Sequence, residues 1–358
     1  MTTQPLDLAN LERPALEAAL EDRGHQRFHA RQIFSWIYKR GVTDLGAMTD
    51  LSRELRTSLN EQFTITTPDI VTRECSKDGT EKFLLRLNDG KQLEAVFIPD
   101  TPAMTFCIST QVGCAMGCAF CLTGKMGLVR NLTAGEITGQ VRALAGALHM
   151  LDKKFNIVLM GMGEPLHNYD ETMRALRILH DDHGFDMSPR RVTLSTVGLL
   201  PALEKLAREP LMPNLAISLH APNDRLRAEL VPLNKKYGVG DIIAACKRFP
   251  LAKRSRITFE YVLLADVNDS PEDARQLAKL LSGVKSKVNL IPLNAAPGIP
   301  FERPSDAAID QFARILADRG LVVSVRKSRG RDIRAACGQL IVEGQQRSPG
   351  QKLAFALP

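Results

Sequence analysis

Near the N-terminus, apolar residues recur at intervals of three and four. Arg13–Asp22, His29–Arg40 and Leu51–Phe63 each carry this spacing, the mark of a helix packed by one face. Short strand-like runs follow at Ile70–Glu74, Lys82–Leu87 and Gln92–Ile98. Residues 1–95 therefore read as an accessory domain, helices first and then a small sheet. Beyond it the pattern changes. Apolar runs of strand length occur at Met104–Ser109, Asn156–Met160, Arg191–Ser195, Asn214–Leu219, Ile257–Leu263, Lys287–Pro292 and Val322–Lys327. Helical spacing separates them at Ala134–Met150, Tyr169–His180, Leu200–Arg208, Pro271–Leu281 and Asp306–Arg319. Alternation repeated this often predicts an α/β fold with a parallel sheet and crossover helices. The number of units favours a full or partial (β/α) barrel over a flat sheet, spanning residues 96–345, with 346–358 as a tail. In such barrels chemistry sits where strands end, at the C-terminal face.

The 358 residues are 44% hydrophobic, which accommodates about two domains on a prior of roughly 150 residues each. The longest apolar runs are strand-sized, so no membrane span is expected. The first residues, MTTQPLDLANLERP, lack the basic-then-apolar pattern of a signal peptide. A cytoplasmic protein, by default a monomer, is the expectation. The net charge of +7 points toward a polyanionic partner, although solvated surface charge explains it equally well. Two clusters stand out: Lys253-Arg254-Ser255-Arg256, and a denser set of Arg326, Lys327, Arg329, Arg331 and Arg334 just before Cys337.

Cysteine usage changes the picture most. Three of the seven cysteines, Cys114, Cys118 and Cys121, form a C-x3-C-x2-C loop directly after the first predicted barrel strand. An odd number of cysteines without an export signal argues against a secreted disulfide framework. A closed structural zinc site wants four ligands, and no fourth is obvious nearby. Three thiolates would instead leave one iron of a 4Fe–4S cluster open to another ligand, whereas ordinary electron-transfer clusters use four. Zinc with a distant ligand, or buried structural thiols, stays open as the alternative.

This spacing on this loop resembles the radical S-adenosylmethionine (SAM) superfamily. That resemblance implies a partial barrel, a single 4Fe–4S cluster on Cys114, Cys118 and Cys121, and SAM bound at the open iron. Polar residues at predicted strand ends fit the SAM pocket it implies. Gly161-Met162-Gly163-Glu164-Pro165 ends the second strand and resembles the motif that holds the methionine amino group. Ser195 closes the third strand, Ser218, Leu219 and His220 the fourth, and Asn294 follows the sixth. Taken singly, each is more often a cap or a satisfied core group.

Two further cysteines narrow the class. Cys107 lies on the first barrel strand, and Cys337 stands in Ala335-Ala336-Cys337-Gly338, where the preceding arginines favour a thiolate. Cys75 and Cys246 read as inert core residues. With Glu94 in Gln92-Leu93-Glu94-Ala95-Val96, the pattern resembles the RlmN/Cfr family of radical SAM RNA methyltransferases over nearly the full chain. The resemblance implies methylation of adenine C2 in 23S rRNA and beside the anticodon of certain tRNAs. It implies two SAM per turnover: one methylates Cys337, and a second is cleaved so that the methyl group becomes a radical that adds to C2. Glu94 would remove the C2 proton, although a glutamate in a strand is more often solvent-facing. Cys107 would release the product as a disulfide with Cys337. Adenine C2, between two ring nitrogens, is electron-poor, so radical addition is a reasonable route there.

The resemblance also implies an electron donor such as flavodoxin with its reductase. An adenine within folded RNA must be unstacked to react, and cations from Arg326 onward are placed to hold its backbone. The N-terminal helices, with Arg23, Arg27, His29, Arg31 and Lys39, are the expected accessory RNA-binding region; a surface bundle with no partner is the alternative. The sister reaction at adenine C8, a radical SAM enzyme with a non-RNA substrate, and an electron-transfer or RNA-binding iron–sulfur protein remain the competing readings.

Overall fold

The computed structural model describes residues 5–99 and 103–345; the expected tail 346–358 lies outside them. The core is one sheet of ten strands. Seven run parallel: Thr105–Cys107, Asn156–Leu159, Val192–Thr196, Asn214–Ser218, Ile257–Leu263, Ser286–Pro292 and Val322–Val325. They lie side by side in chain order. The final strand is an edge, so the sheet curls without closing, which is the partial barrel. Ile257–Leu263 is buried at all of its positions, as expected of a central parallel strand covered on both faces.

The crossover helices start with strong signals. Thr133 and Glu136 form a reciprocal capping box on Ala134–Ala147, and Ser270 with Asp273 does the same on Pro271–Leu280. Two helices not read from the pattern, Asp224–Leu230 and Val239–Arg248, fill the crossover after Asn214–Ser218. The first is too short, at 7 residues, to show a helical period.

The strands Asp69–Cys75, Glu81–Arg86 and Gln92–Ile98 extend the same sheet antiparallel to the barrel strands. Gln92–Ile98 pairs with Thr105–Cys107, so a boundary placed after residue 95 falls inside a strand. The helices Arg13–Glu21, His29–Tyr38 and Arg53–Gln62 pack beside this frame, with Leu16, Leu20, Ile33, Phe34, Ile37 and Leu59 buried.

Cys75 departs from its expected place in the core. It is exposed, because Asp69–Cys75 is an edge strand uncovered along its whole length. Cys246 is buried in Val239–Arg248.

Candidate active site

The cysteine loop is held in a small hairpin. Gln111–Gly113 pairs with Leu128–Asn131, and the loop plus the short helix Leu122–Met126 lie between them. Gly113 sits at φ +76°, and a Cβ there would lie 1.9 Å from the carbonyl oxygen of Gly127, so only glycine fits. The Cys114 amide donates to that same carbonyl (3.0 Å), and the Ala119 amide donates to Leu230 (3.0 Å).

Cys114, Cys118 and Cys121 form one wall of a cavity of about 150 Å³. Gly163, Glu164, Ser195, Ser218, His220 and Asn294 form much of the rest, all at C-terminal ends of barrel strands or just beyond. Leu219, grouped with them from the sequence, is not on the wall. Its side chain is fully buried and its carbonyl accepts from Arg227 Nε (2.9 Å). Gly163, at φ +106°, brings the backbone against Gln111, where a Cβ would sit 2.6 Å from the Gln111 Cβ.

Glu164 is buried, and both carboxylate oxygens are occupied by backbone amides, Leu166 at 3.1 Å and Val197 at 2.9 Å. Burial pushes its carboxyl up to about 7, against the pull of these donors. The carboxylate thus ties the glycine turn to the end of the neighbouring strand. Ser195 Oγ and Ser218 Oγ lie 3.3 Å apart. His220 adopts a left-handed backbone (φ 62°), accepts from the Val262 amide through Nδ1 (3.1 Å) and meets the Phe120 ring edge-on.

Three thiols on one wall, with no histidine or free carboxylate among them, are a soft donor set suited to iron and sulfide. Among the described residues, no three His, Cys, Asp or Glu side chains are gathered tightly enough to hold a single ion. The three thiols on the cavity wall fit a 4Fe–4S cluster seated there. Burial pushes all three thiols up, so binding a cationic cluster would displace their protons.

A larger cavity, about 700 Å³, opens from this one toward the N-terminal ends of the strands. Cys107, Cys121 and Cys337 share its wall, and Cys337 lines both cavities. The Cys337 segment is tied down on several sides. Asn294 Nδ2 donates to the Cys337 carbonyl (3.2 Å), the Leu122 amide to the Gly338 carbonyl (2.8 Å) and Thr123 Oγ1 to the Leu340 carbonyl (2.6 Å). Burial pushes the Cys107 thiol up to about 12, with Cys337 adding to the shift and Arg326 opposing it. Arg326, in turn, is held charged first by Cys337 and then by Glu260.

Glu94 is brought close to this segment but not onto either cavity wall. It is buried, with Oε1 3.1 Å from Lys82 Nζ and Oε2 accepting from the Ile341 amide at 2.8 Å. Burial raises its carboxyl, and Lys82 opposes that.

Two residues escaped the sequence reading. Glu260, only 4% exposed, lines both cavities; Asn289 Nδ2 donates to its Oε1 (3.0 Å) and its Oε2 has no partner. Its signal was a lone carboxylate in the apolar run ITFEYVL. Arg227 is fully buried and donates to the carbonyls of Val197 (2.6 Å), Ser218 (3.1 Å) and Leu219. Nothing in its charged helix, DRLRAEL, distinguished it.

Comparison with known proteins agrees with this geometry. Residues 6–65 match the ribosomal RNA large subunit methyltransferase N-terminal domain, and residues 108–280 match the radical SAM superfamily. The chain is 50% identical over 335 residues to the dual-specificity RNA methyltransferase RlmN of Geobacter sulfurreducens, covering 94% of this chain and 92% of that one. It is 49% identical to the RlmN of Magnetococcus marinus over 355 residues, 98% of this chain and 99% of the relative. The crystal structure of a radical SAM methyltransferase from Sphaerobacter thermophilus superposes with a TM-score of 0.89 at 49% identity, covering 94% of this chain and 99% of that one. The chain therefore belongs to the RlmN family of the radical SAM superfamily.

Proposed function

We propose that the protein is an RNA methyltransferase that places a methyl group on C2 of adenine, in 23S rRNA and in certain tRNAs, through S-methylcysteine at Cys337. The carrying observation is that Cys107 and Cys337, two cysteines outside the C-x3-C-x2-C loop, share a cavity wall with Cys121. A generic radical source needs only the loop.

Cys114, Cys118 and Cys121 would hold one 4Fe–4S cluster, and Gly163, Glu164, Ser195, Ser218, His220 and Asn294 would hold SAM beside it. When bound, the pair supplies a 5′-deoxyadenosyl radical and, from a separate SAM, the methyl group. Cys337 accepts that methyl group on its sulfur, with Arg326 on the same two cavity walls. Its position on both cavity walls lets it face SAM on one side and the adenine on the other. After the carbon is joined to C2, Glu94 takes the C2 proton. The family pattern supports that role, and the carboxylate already borders the Cys337 segment through the Ile341 amide. The Cys107 thiolate then attacks the Cys337 sulfur, so that an S–S bond forms as the bond from sulfur to the transferred carbon breaks. That carbon takes up a proton to leave as the methyl group of the product. Attack at sulfur is the chemistry of thiol exchange, here with carbon as the leaving group. Reduction of that disulfide precedes the next turnover, and the cluster electron comes from a donor such as flavodoxin with its reductase.

The test is mass mapping of methyladenine in rRNA and tRNA from strains with and without the gene. Loss of 2-methyladenine is expected. Unchanged 2-methyladenine, or loss of the 8-methyl isomer instead, overturns the assignment.

A further inference from the structure

The inner wall of a (β/α) barrel is normally filled by branched aliphatic side chains. Here the N-terminal half of the strand array departs from that rule. Asn156, Thr193, Asn214, Thr258 and Asn289 line the 700 Å³ cavity from the strand starts upward. The route from the bottom of the barrel to Cys337 is therefore open and carries amide and hydroxyl side chains among its apolar ones.

At its outer end the cavity meets another, about 580 Å³, at the starts of four parallel strands. Arg190 precedes Val192–Thr196; Lys253, Arg254 and Arg256 precede Ile257–Leu263; and Lys287 is the second residue of Ser286–Pro292. These five cations come from separate stretches of the chain. No acidic residue lines the cavity, and none of the five has an ion-pair partner among the described residues. Arg190, Asn214 and Lys287 belong to both cavities, so the basic rim leads directly into the reaction chamber.

The N-terminal helices offer a contrast. Arg27 is paired with Glu17 at 3.0 Å, Lys39 donates to the Asp182 carbonyl at 2.5 Å and Arg23 donates to the Ala19 carbonyl at 3.2 Å.

We propose that RNA enters through the N-terminal mouth of the strand array, and that Lys253, Arg254 and Arg256, with Arg190 and Lys287, hold the phosphodiester backbone flanking the unstacked base. The proposal rests on the RNA methyltransferase reading above. Long, exposed, unpaired cations suit a polyanion bound by counterion release rather than a small ion in a fixed cradle. An acidic protein would meet the same charge, but whatever lies on this rim also occupies the entrance to Cys337, and that favours the molecule that carries the reacting base.

The test uses the cluster-loaded full chain and a labelled tRNA anticodon stem–loop. Binding is followed by anisotropy from about 0.05 to 0.2 M salt, the range over which phosphate contacts dominate affinity. For Lys253→Ala/Arg254→Ala/Arg256→Ala, the expected result is about tenfold weaker binding at the upper salt. The slope of log Kd against log salt should fall by about 2, at roughly 0.7 per lost single-strand contact. The charge-retaining Lys253→Arg/Arg254→Lys/Arg256→Lys should keep the wild-type slope. Methyl on Cys337, measured by intact mass without RNA on the same preparations, reports that the barrel and cluster are intact.

Wild-type affinity and slope in the alanine variant would overturn the proposal while leaving the methyltransferase reading in place. The same outcome with slower cluster reduction would assign the rim to an acidic electron-donor protein. If the wild type itself neither binds nor methylates RNA, the failure lies in the proposed function.

Discussion

Cys107 and Cys337 share one cavity but are held differently. Cys107 is buried on a strand, with its thiol pushed up to about 12, whereas Cys337 is half-buried on a tethered loop beside Arg326. The division of labour proposed here predicts distinct failures. Cys337→Ala should give no RNA methylation but leave reductive SAM cleavage. Cys107→Ala should trap the RNA on the protein, visible as a retarded band on a denaturing gel. A Cys107→Ala enzyme that released methylated RNA normally would exclude its resolving role. His220 yields a pH prediction. Burial, then Arg227, holds its imidazole down to about 3, from 6.5. Below pH 6.5 the unfolded chain binds a proton that the folded chain refuses, so the stability present above that pH is lost as pH falls. The loss approaches about 1.4 kcal/mol per pH unit. His220→Asn keeps the left-handed backbone accessible and removes the titration. Urea unfolding between about pH 7 and pH 5 should therefore show a steeper decline for the wild type; parallel declines would contradict the linkage.

Among the elements, parallel strands were the most legible. Buried on both faces, they read as continuous apolar runs, and their ends then located the polar residues of the smaller cavity. What bonds hold those ends was not legible, because it depends on groups far apart in sequence. Arg227 is the example: from Asp224–Leu230 it reaches the carbonyls of Val197, Ser218 and Leu219, bracing two strand ends beside the cavity. Arg227→Met would leave these buried carbonyls without their donor. The expected loss is about 3 kcal/mol, at roughly 1–3 kcal/mol for each buried polar group left unpaired and with partial relaxation. Chemical denaturation of the variant measures it, and a change under about 1 kcal/mol would show that the brace contributes little. Glu94 illustrates the opposite limit. Its family match picked out the residue, but its pairing with Lys82 and the Ile341 amide joins a sheet extension to the Cys337 segment across some 250 residues, and no local pattern encodes that.

At the scale of the molecule, the open sheet creates a chamber with two ends. The cysteine loop and the strand C-termini close one end around the 150 Å³ cavity, and the basic rim marks the other. Alternation in the sequence identified the barrel, and the C-terminal-face rule pointed to the strand ends that line the 150 Å³ cavity. The second mouth was not foreseen, because Arg190, Lys253, Arg254, Arg256 and Lys287 converge only once the strands are side by side. Two ends imply that SAM and RNA do not compete for space. Cys337, on the wall common to both cavities, stands between them. Equilibrium dialysis should detect SAM bound to the RNA complex, with the Kd for SAM unchanged as RNA is raised. Mutual exclusion, with the Kd for SAM rising in proportion to RNA, would require one shared entrance and would refute the two-ended chamber.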